Sequence, residues 1–288
     1  MKTAVAFLCT IGLLLASNQA PAATSVLYGA TAAGGAGELY TINPLTGAMI
    51  SDIGPLNDSL GANYPITGLA FNPVTGVLYG STGNSVAGSA ARLVSINPAN
   101  GLVTVIGSFN AGPVNSSGTP STMADIAFDS AGNLFGVGSI GGPQLYSINL
   151  LTGQATVIGS TGLTSTSGGG LAISSGGTFY GTPTSSRFGT YNSGTGAYAN
   201  IANPTKPVGG AYAALAFDGG TLYGLDLGST PAQTHLVTFD LATGAITDIG
   251  ASVGNLDAIA FTIVPEPSTA TLLVAGIAGL ILNRRLRK

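Results

Sequence analysis

A unit of short apolar segments recurs along most of the chain, and this repetition constrains the fold more than any other feature. Its first segment ends in an aromatic residue followed by glycine, and the segment occurs five times at intervals of 51, 56, 45 and 43 residues. The aromatic residues are Tyr28, Tyr79, Phe135, Tyr180 and Tyr223. A repeat of about 40 to 50 residues that contains four short strands is typical of a β-propeller blade.

Three further segments follow in a constant order, although the second segment is degenerate in the fourth unit, around Phe188 to Asn192, and the third occurs in four units. The second is an alternating strand that runs into a turn, as in residues 39–43, and the third ends in isoleucine and glycine, as at Ile106 and Gly107. The fourth places a small residue before a large apolar one, as at Ala127 and Phe128. Small side chains suit the innermost strand of each blade, because the blades converge there.

The phase of the repeat predicts how the chain closes. The chain starts at the second strand of one blade, and residues 256–263 supply the innermost strand of that same blade. We therefore predict an all-β domain over residues 23–263. Its fold is a five-bladed β-propeller of four-stranded blades, closed by pairing of its N- and C-terminal strands. Closure of this kind removes exposed sheet edges.

Tight turns account for many of the asparagine, proline and glycine residues. Residues 43–47, 72–76 and 97–101 each begin with Asn-Pro and end with Gly. Asparagine accepts a local backbone hydrogen bond, proline presets φ, and glycine takes the left-handed position. Asp129 and Asp218 follow two innermost strands and precede glycine-containing turns. Capping of these turns is the favoured interpretation, and calcium ligation is the alternative.

The predicted domain is acidic and poor in charged residues. Between Ala23 and Val264 it has three basic and ten acidic residues, a net charge of −7. Such a domain repels a phosphate backbone, which argues against nucleic-acid binding. With His235 as its only histidine and no cysteine, it also lacks the usual ligand set of a zinc site. We therefore predict no metal and no cofactor.

Two short motifs match signatures of catalytic or phosphate-binding sites. Residues 250–254 read Gly-Ala-Ser-Val-Gly around Ser252, but a nucleophile elbow needs a strand before it and a helix after it. This match lies between two predicted strands, with His235 upstream. Residues 136–141 match the glycine-rich dinucleotide pattern, yet a predicted strand follows them instead of a helix. We therefore predict that the chain is not an enzyme and has no catalytic or cofactor-binding residue.

The first residues have the order of a secretory signal peptide. Lys2 precedes an apolar stretch over residues 4–16, and small residues follow at 20–23. This order predicts a signal peptide over residues 1–22, cleaved between Ala22 and Ala23, and export by the Sec machinery. A retained membrane anchor is the alternative, although the apolar run is short for a membrane span.

The chain ends in three ordered parts. The first is a motif of four residues, Val264, Pro265, Glu266 and Pro267. Its prolines favour an extended segment that a processing enzyme can reach. The second is an apolar stretch over residues 268–282, a short transmembrane helix. The third is a basic tail, Arg284, Arg285, Arg287 and Lys288, which the positive-inside rule places in the cytoplasm.

These three parts together resemble the PEP-CTERM sorting signal of Gram-negative bacteria, over residues 264–288. In that family an exosortase, a membrane protease-transferase, recognises the signal, and the family is associated with exopolysaccharide and biofilm production. The resemblance implies an exosortase as partner and a transient inner-membrane anchor through residues 268–282. It also implies a final location at the cell surface or in the extracellular matrix. An ordinary membrane tail anchor is the alternative.

These observations favour an exported, non-catalytic surface or matrix protein, associated with exopolysaccharide or biofilm. A carbohydrate-binding propeller is the alternative, in which Tyr28, Tyr79, Tyr180 and Tyr223 offer ring faces to sugars. The absence of tryptophan weighs against a strong sugar platform, and we expect these tyrosines in the core. A hydrolase is the least supported class. Paired carboxylates would then come from aspartate, because Glu38 is the only glutamate of the domain.

Overall fold

The computed structural model describes residues 25–262, apart from the segments 33–34, 84–90, 110–121, 139–142, 165–168, 184–185 and 229–232. The predicted cleavage residues Ala22 and Ala23 lie outside the described residues. The apolar stretch 268–282, the sorting motif and the basic tail also lie outside them, with Val264, Pro265, Glu266, Pro267, Arg284, Arg285, Arg287 and Lys288. Within the described ranges, no helix has the length and apolar character to cross a membrane.

Twenty strands in the described part of the chain form five antiparallel sheets of four strands each. The first seven are β1 (Leu27–Thr31), β2 (Glu38–Ile42), β3 (Met49–Pro55), β4 (Ile66–Phe71), β5 (Leu78–Thr82), β6 (Arg92–Ile96) and β7 (Val103–Ser108). The next four are β8 (Met123–Phe128), β9 (Leu134–Gly138), β10 (Gln144–Ile148) and β11 (Ala155–Ser160).

The remaining strands complete the last two sheets and return to the first. They are β12 (Leu171–Ile173), β13 (Phe179–Gly181), β14 (Phe188–Tyr191), β15 (Tyr198–Ala202), β16 (Ala211–Asp218), β17 (Thr221–Leu227), β18 (Thr234–Phe239), β19 (Ile246–Ala251) and β20 (Leu256–Phe261). Blade 1 has the order β20-β1-β2-β3, and blades 2 to 5 each use four consecutive strands from β4 onward.

The predicted all-β fold of five four-stranded blades is therefore confirmed. The predicted closure is also confirmed, because β20 pairs antiparallel with β1, with Leu27 opposite Phe261 and Ala30 opposite Ala258. The small-residue segment is the innermost strand of every blade, and these five strands contact one another around a common axis. The order of the four segments in the repeat is thus the order of strands from the axis outward.

Packing between blades explains why small and large residues alternate on the innermost strands. Ala260 of blade 1 lies in one buried cluster with Phe71 of blade 2. Ala70 of blade 2 lies in the next cluster with Phe128 of blade 3. A small side chain on one blade therefore faces a large one on the following blade, and the two together fill the interface at interior density.

The aromatic residue before glycine in β1, β5, β9, β13 and β17 joins each blade to the next. Its ring packs against a ring of the following blade at every one of the five interfaces. The centroid distances are 5.5 Å for Tyr28–Phe71, 5.4 Å for Tyr79–Phe128, 4.9 Å for Phe135–Phe179, 5.8 Å for Tyr180–Phe217 and 4.9 Å for Tyr223–Phe261. Such a pair contributes about 0.5–1.5 kcal/mol beyond its buried area. The four tyrosines expected in the core are partly buried and pack against the core clusters at these interfaces.

In blades 2 and 3, the glycine of the Ile-Gly segment is needed because the outermost strand touches the next blade there. A Cβ atom on Gly107 of blade 2 would overlap the carbonyl oxygen of Thr152 in a turn of blade 3. A Cβ atom on Gly159 of blade 3 would overlap the carbonyl oxygen of Thr195 in the same way. Only glycine allows the two backbones to approach this closely.

Gly107→Ala is therefore expected to lower the free energy of unfolding by about 1–3 kcal/mol, the usual cost of overpacking. The atom that the new methyl group meets is backbone, so it cannot rotate away. Urea denaturation of the two proteins measures the difference. Gly220→Ala is the matched control, because a Cβ atom there meets nothing within 4 Å. Equal losses in both variants would contradict this account of Gly107.

Candidate ligand site on the propeller axis

The side chain of Asp125 lies at the centre of the propeller and is fully buried. Its Oδ2 accepts hydrogen bonds from the backbone N–H groups of Leu171 at 2.8 Å and Leu215 at 3.1 Å. Its Oδ1 accepts one from Ile126 at 2.8 Å. Since these three donors belong to β12, β16 and β8, one carboxyl group links the innermost strands of three blades.

Asp125 occupies a position that the other innermost strands give to glycine or alanine. A Cβ atom on Gly68 of blade 2 would lie 2.7 Å from Asp125 Oδ1, so the small neighbour leaves the space that the carboxyl group fills. Asp125 was not among the predicted site residues. The available signal was an acidic residue in a strand where every equivalent position is small and uncharged.

Burial and neighbouring groups act on the ionisation of Asp125 in opposite directions. Loss of water raises its pKa well above the ordinary value, the three backbone N–H donors oppose that rise, and the charge of Asp257 adds to it. Asp257 is the extra residue of a bulge in β20. Although part of its surface stays accessible, the surrounding protein desolvates it and raises its pKa to about 7.

Asp257→Asn is expected to change how stability depends on pH. As pH rises from the ordinary value of 3.8 to about 7, the unfolded chain releases the Asp257 proton while the folded protein retains it. The native protein therefore loses stability across this window relative to the variant. Melting temperatures at pH 4 and pH 8 measure the effect, with the variant gaining several degrees on the native protein at the higher pH. A difference that stays constant with pH would contradict the raised pKa.

A cavity of about 240 Å³ lies on the same axis, beginning one residue beyond Asp125 along the innermost strands. Its inner wall is a ring of alanines, one from each blade: Ala70, Ala127, Ala172, Ala216 and Ala260. Its outer wall is a ring of large apolar residues at the next position: Phe71, Phe128, Ile173, Phe217 and Phe261. The cavity opens among the turns that follow these strands, and it is mostly apolar with a polar rim, as ligand pockets usually are.

Asp129, at the rim of this cavity, caps its turn. Its Oδ1 accepts hydrogen bonds from the backbone N–H groups of Ala131 at 3.0 Å and Asn133 at 2.8 Å. Turn capping is therefore confirmed for Asp129. The same prediction is wrong for Asp218, which pairs with Thr221 across a two-residue turn and whose side chain makes no hydrogen bond to a described residue. No three His, Cys, Asp or Glu side chains among the described residues come together as a metal site.

In the structure, Ser252 of the Gly-Ala-Ser-Val-Gly motif does not form a catalytic arrangement with His235 and Asp248. His235 Nδ1 lies 3.0 Å from both carboxylate oxygens of Asp248, a contact between β18 and β19 that the sequence did not reveal. Ser252 Oγ is buried and has no hydrogen-bond partner, while the Ser252 N–H donates to the Thr234 carbonyl at 2.7 Å. The bond between nucleophile and base that a triad requires is absent among these residues.

The glycine-rich match at residues 136–141 is only partly described. Gly136 and Gly138 lie in β9, and residues 139–142 fall outside the described part. The next described element is strand β10, as predicted, and not a helix whose N-terminus could bind a phosphate.

Five blades around a shared axis define the class of this protein as a repeat-built β-propeller. Residues 57–217, more than half of the chain, match the family described as "Repeat of unknown function (DUF6923)", and the chain belongs to that family. It matches no curated protein.

Three solved structures show a likeness to the chain. TolB from Acinetobacter baumannii is 17% identical over 78% of this chain and 52% of its own, with a TM-score of 0.46. Kuenenia stuttgartiensis hydrazine synthase is 15% identical over 66% of this chain and 49% of its own, with a TM-score of 0.40. A protein of unknown function from Bacteroides caccae is 10% identical over 83% of this chain and 99% of its own, with a TM-score of 0.45. This chain spans about half the length of the first two.

Proposed function

We propose that this chain is an exported, non-catalytic protein of the cell surface or extracellular matrix of a Gram-negative bacterium. The Sec machinery exports it, and an exosortase processes its sorting signal after a transient stay in the inner membrane. The observation that carries the proposal is the order of three parts at the end of the sequence: the Pro-Glu-Pro motif, the apolar stretch 268–282 and the basic tail. Exopolysaccharide is the partner that this sorting route suggests.

Contacts at the ends of the described chain support a domain that survives processing at both termini. The Val26 N–H donates to Thr262 Oγ1 at 2.8 Å, and the Thr262 N–H donates to the Val26 carbonyl at 2.9 Å. All twenty strands lie between these two residues. Removal of residues before 25 and after 262 would therefore leave every described strand pair intact.

The hydrogen bonds of the polar side chains in the domain support the proposal that the protein is non-catalytic. Asp125 Oδ2 joins its own innermost strand to those of two other blades, and Asp129 is engaged in its turn. His235 and Asp248 contact each other without a bonded serine. A purified protein that turned over a glycan or an ester at a useful rate would overturn this half of the proposal.

The intact mass of the mature protein, from cells with and without the exosortase gene, tests the sorting half. We expect both ends to be removed when the exosortase is present, and residues 264–288 to be retained when it is absent. A variant with Pro265→Ala and Pro267→Ala should keep its carboxy end in both strains. An intact carboxy end of the native protein in both strains would mean a plain membrane-anchored propeller.

A further inference from the structure

Five equivalent alanines line the axial cavity. Its lining also includes apolar residues one position beyond Asp125, among them Leu69, Leu171 and Leu215. Each of these three leucines is at most 2% exposed. The alanines come next along the strands, and four phenylalanines and Ile173 follow them towards the turns. Because water in an apolar pocket of this kind finds few hydrogen-bond partners, an apolar group displaces it favourably.

The polar side chains of the pocket are confined to one side of its rim. Asp129, Ser130, Ser174 and Ser175 follow the innermost strands of blades 3 and 4, and among the described residues they are the polar side chains of the lining. Ser174 Oγ accepts a hydrogen bond from the Thr178 N–H at 3.1 Å, and Asp129 is engaged in its own turn. Ser130 and Ser175 are exposed, and their hydroxyl groups make no hydrogen bond to another described residue.

The charge at the rim of the cavity disfavours binding of an anionic ligand. Asp129 is an acidic residue of the lining, and the described part of the lining contains no lysine or arginine. An anionic ligand would lose its hydration and meet a like charge, which costs affinity. The free hydroxyl groups of Ser130 and Ser175 can instead donate to or accept from a neutral polar group.

We propose that this pocket binds one compact neutral molecule with an apolar ring and a hydroxyl group. The ring lies between the alanines and the phenylalanines, and the hydroxyl group meets Ser130 and Ser175. A few polar groups at the edge of an apolar concave site are what orients a small ligand. This site is independent of the sorting signal and would function whether or not the carboxy end is processed.

Binding of phenol to the purified protein, followed by ligand-observed NMR and by calorimetry, tests the proposal. We expect phenol to bind at least tenfold more tightly than benzoate, the charged compound with the same ring. Ala172→Leu fills the pocket from its inner wall and should abolish phenol binding. No binding of phenol at millimolar concentration, or binding equal to that of benzoate, would overturn the proposal.

If Ala172→Leu disturbs the packing of blade 4, a double variant of the two rim serines tests the proposal instead. Ser130→Ala combined with Ser175→Ala should weaken phenol binding by about three- to tenfold, the worth of a neutral hydrogen bond. The same variant should bind toluene as the native protein does. Ser193→Ala is the matched control, because Ser193 is exposed in a turn outside the pocket. An unchanged affinity for phenol in the double variant would refute the role of the rim.

Discussion

Asp125→Ala is expected to lower the free energy of unfolding by about 3–6 kcal/mol, since it leaves three buried N–H groups without acceptors at about 1–3 kcal/mol each. The three groups belong to Ile126, Leu171 and Leu215, on three different blades. A loss of this size is a large part of the total stability of a domain, about 5–15 kcal/mol. Equilibrium unfolding in urea measures it.

Two variants separate the hydrogen bonds of Asp125 from its charge and its volume. Asp125→Asn keeps one acceptor oxygen and the shape of the side chain, so it should lose less than the alanine variant. Asp218→Ala is the matched control. Asp218 is the acidic residue at the end of another innermost strand, and its side chain makes no hydrogen bond to a described residue. Its loss should stay within about 0.5 kcal/mol, as for most surface positions. A similar loss in the alanine variants of Asp125 and Asp218 would mean that the axial bonds contribute little.

Truncation after Asn255 is expected to abolish cooperative folding. It removes β20, the innermost strand of blade 1, and with it the buried residues Leu256, Ile259 and Phe261. Burial of three such side chains stabilises a protein by about 5–9 kcal/mol, which is comparable to the stability of the whole domain. The edge of β1 would also lose its partner, and an open edge promotes aggregation.

Circular dichroism and urea denaturation of the truncated proteins test this expectation. Truncation after Thr262 is the matched control, because it retains β20 and both hydrogen bonds between Val26 and Thr262. That protein should unfold cooperatively, close to the midpoint of the mature form. A cooperative transition in the protein that ends at Asn255 would show that closure through β20 is dispensable.

Local sequence patterns predicted most of the fold because each blade repeats the same order of strand and turn segments. The aromatic-glycine pairs gave the number of blades, and the phase of the repeat located the strand that closes the ring. The turn role of Asp129 also followed from the sequence, since an aspartate before a tight turn accepts hydrogen bonds from residues two and four positions later. These interactions involve neighbours in the chain, so spacing alone reveals them.

The axial site could not be predicted in the same way. The bonds of Asp125 reach residues 46 and 90 positions away in the chain, and no local pattern records which strands meet at the axis. The same holds for the contact of His235 with Asp248, which depends on the register of β18 and β19 across a bulge. The prediction that the motif around Ser252 lies between two strands is confirmed. Only the structure shows that the hydroxyl group of Ser252 is buried and has no hydrogen-bond partner.

The sequence by itself determined the class of fold, the blade count and the closing strand, whereas the address at the two ends of the chain stays a prediction. Each of these follows from periodicity or from the order of neighbouring residues, because strands, turns and export signals depend on residues that are close together in the chain. Tertiary structure alone decided that five alanines enclose a pocket and that one aspartate holds three blades together. Those features arise where innermost strands far apart in sequence converge on one axis, and their distances depend on how the blades pack.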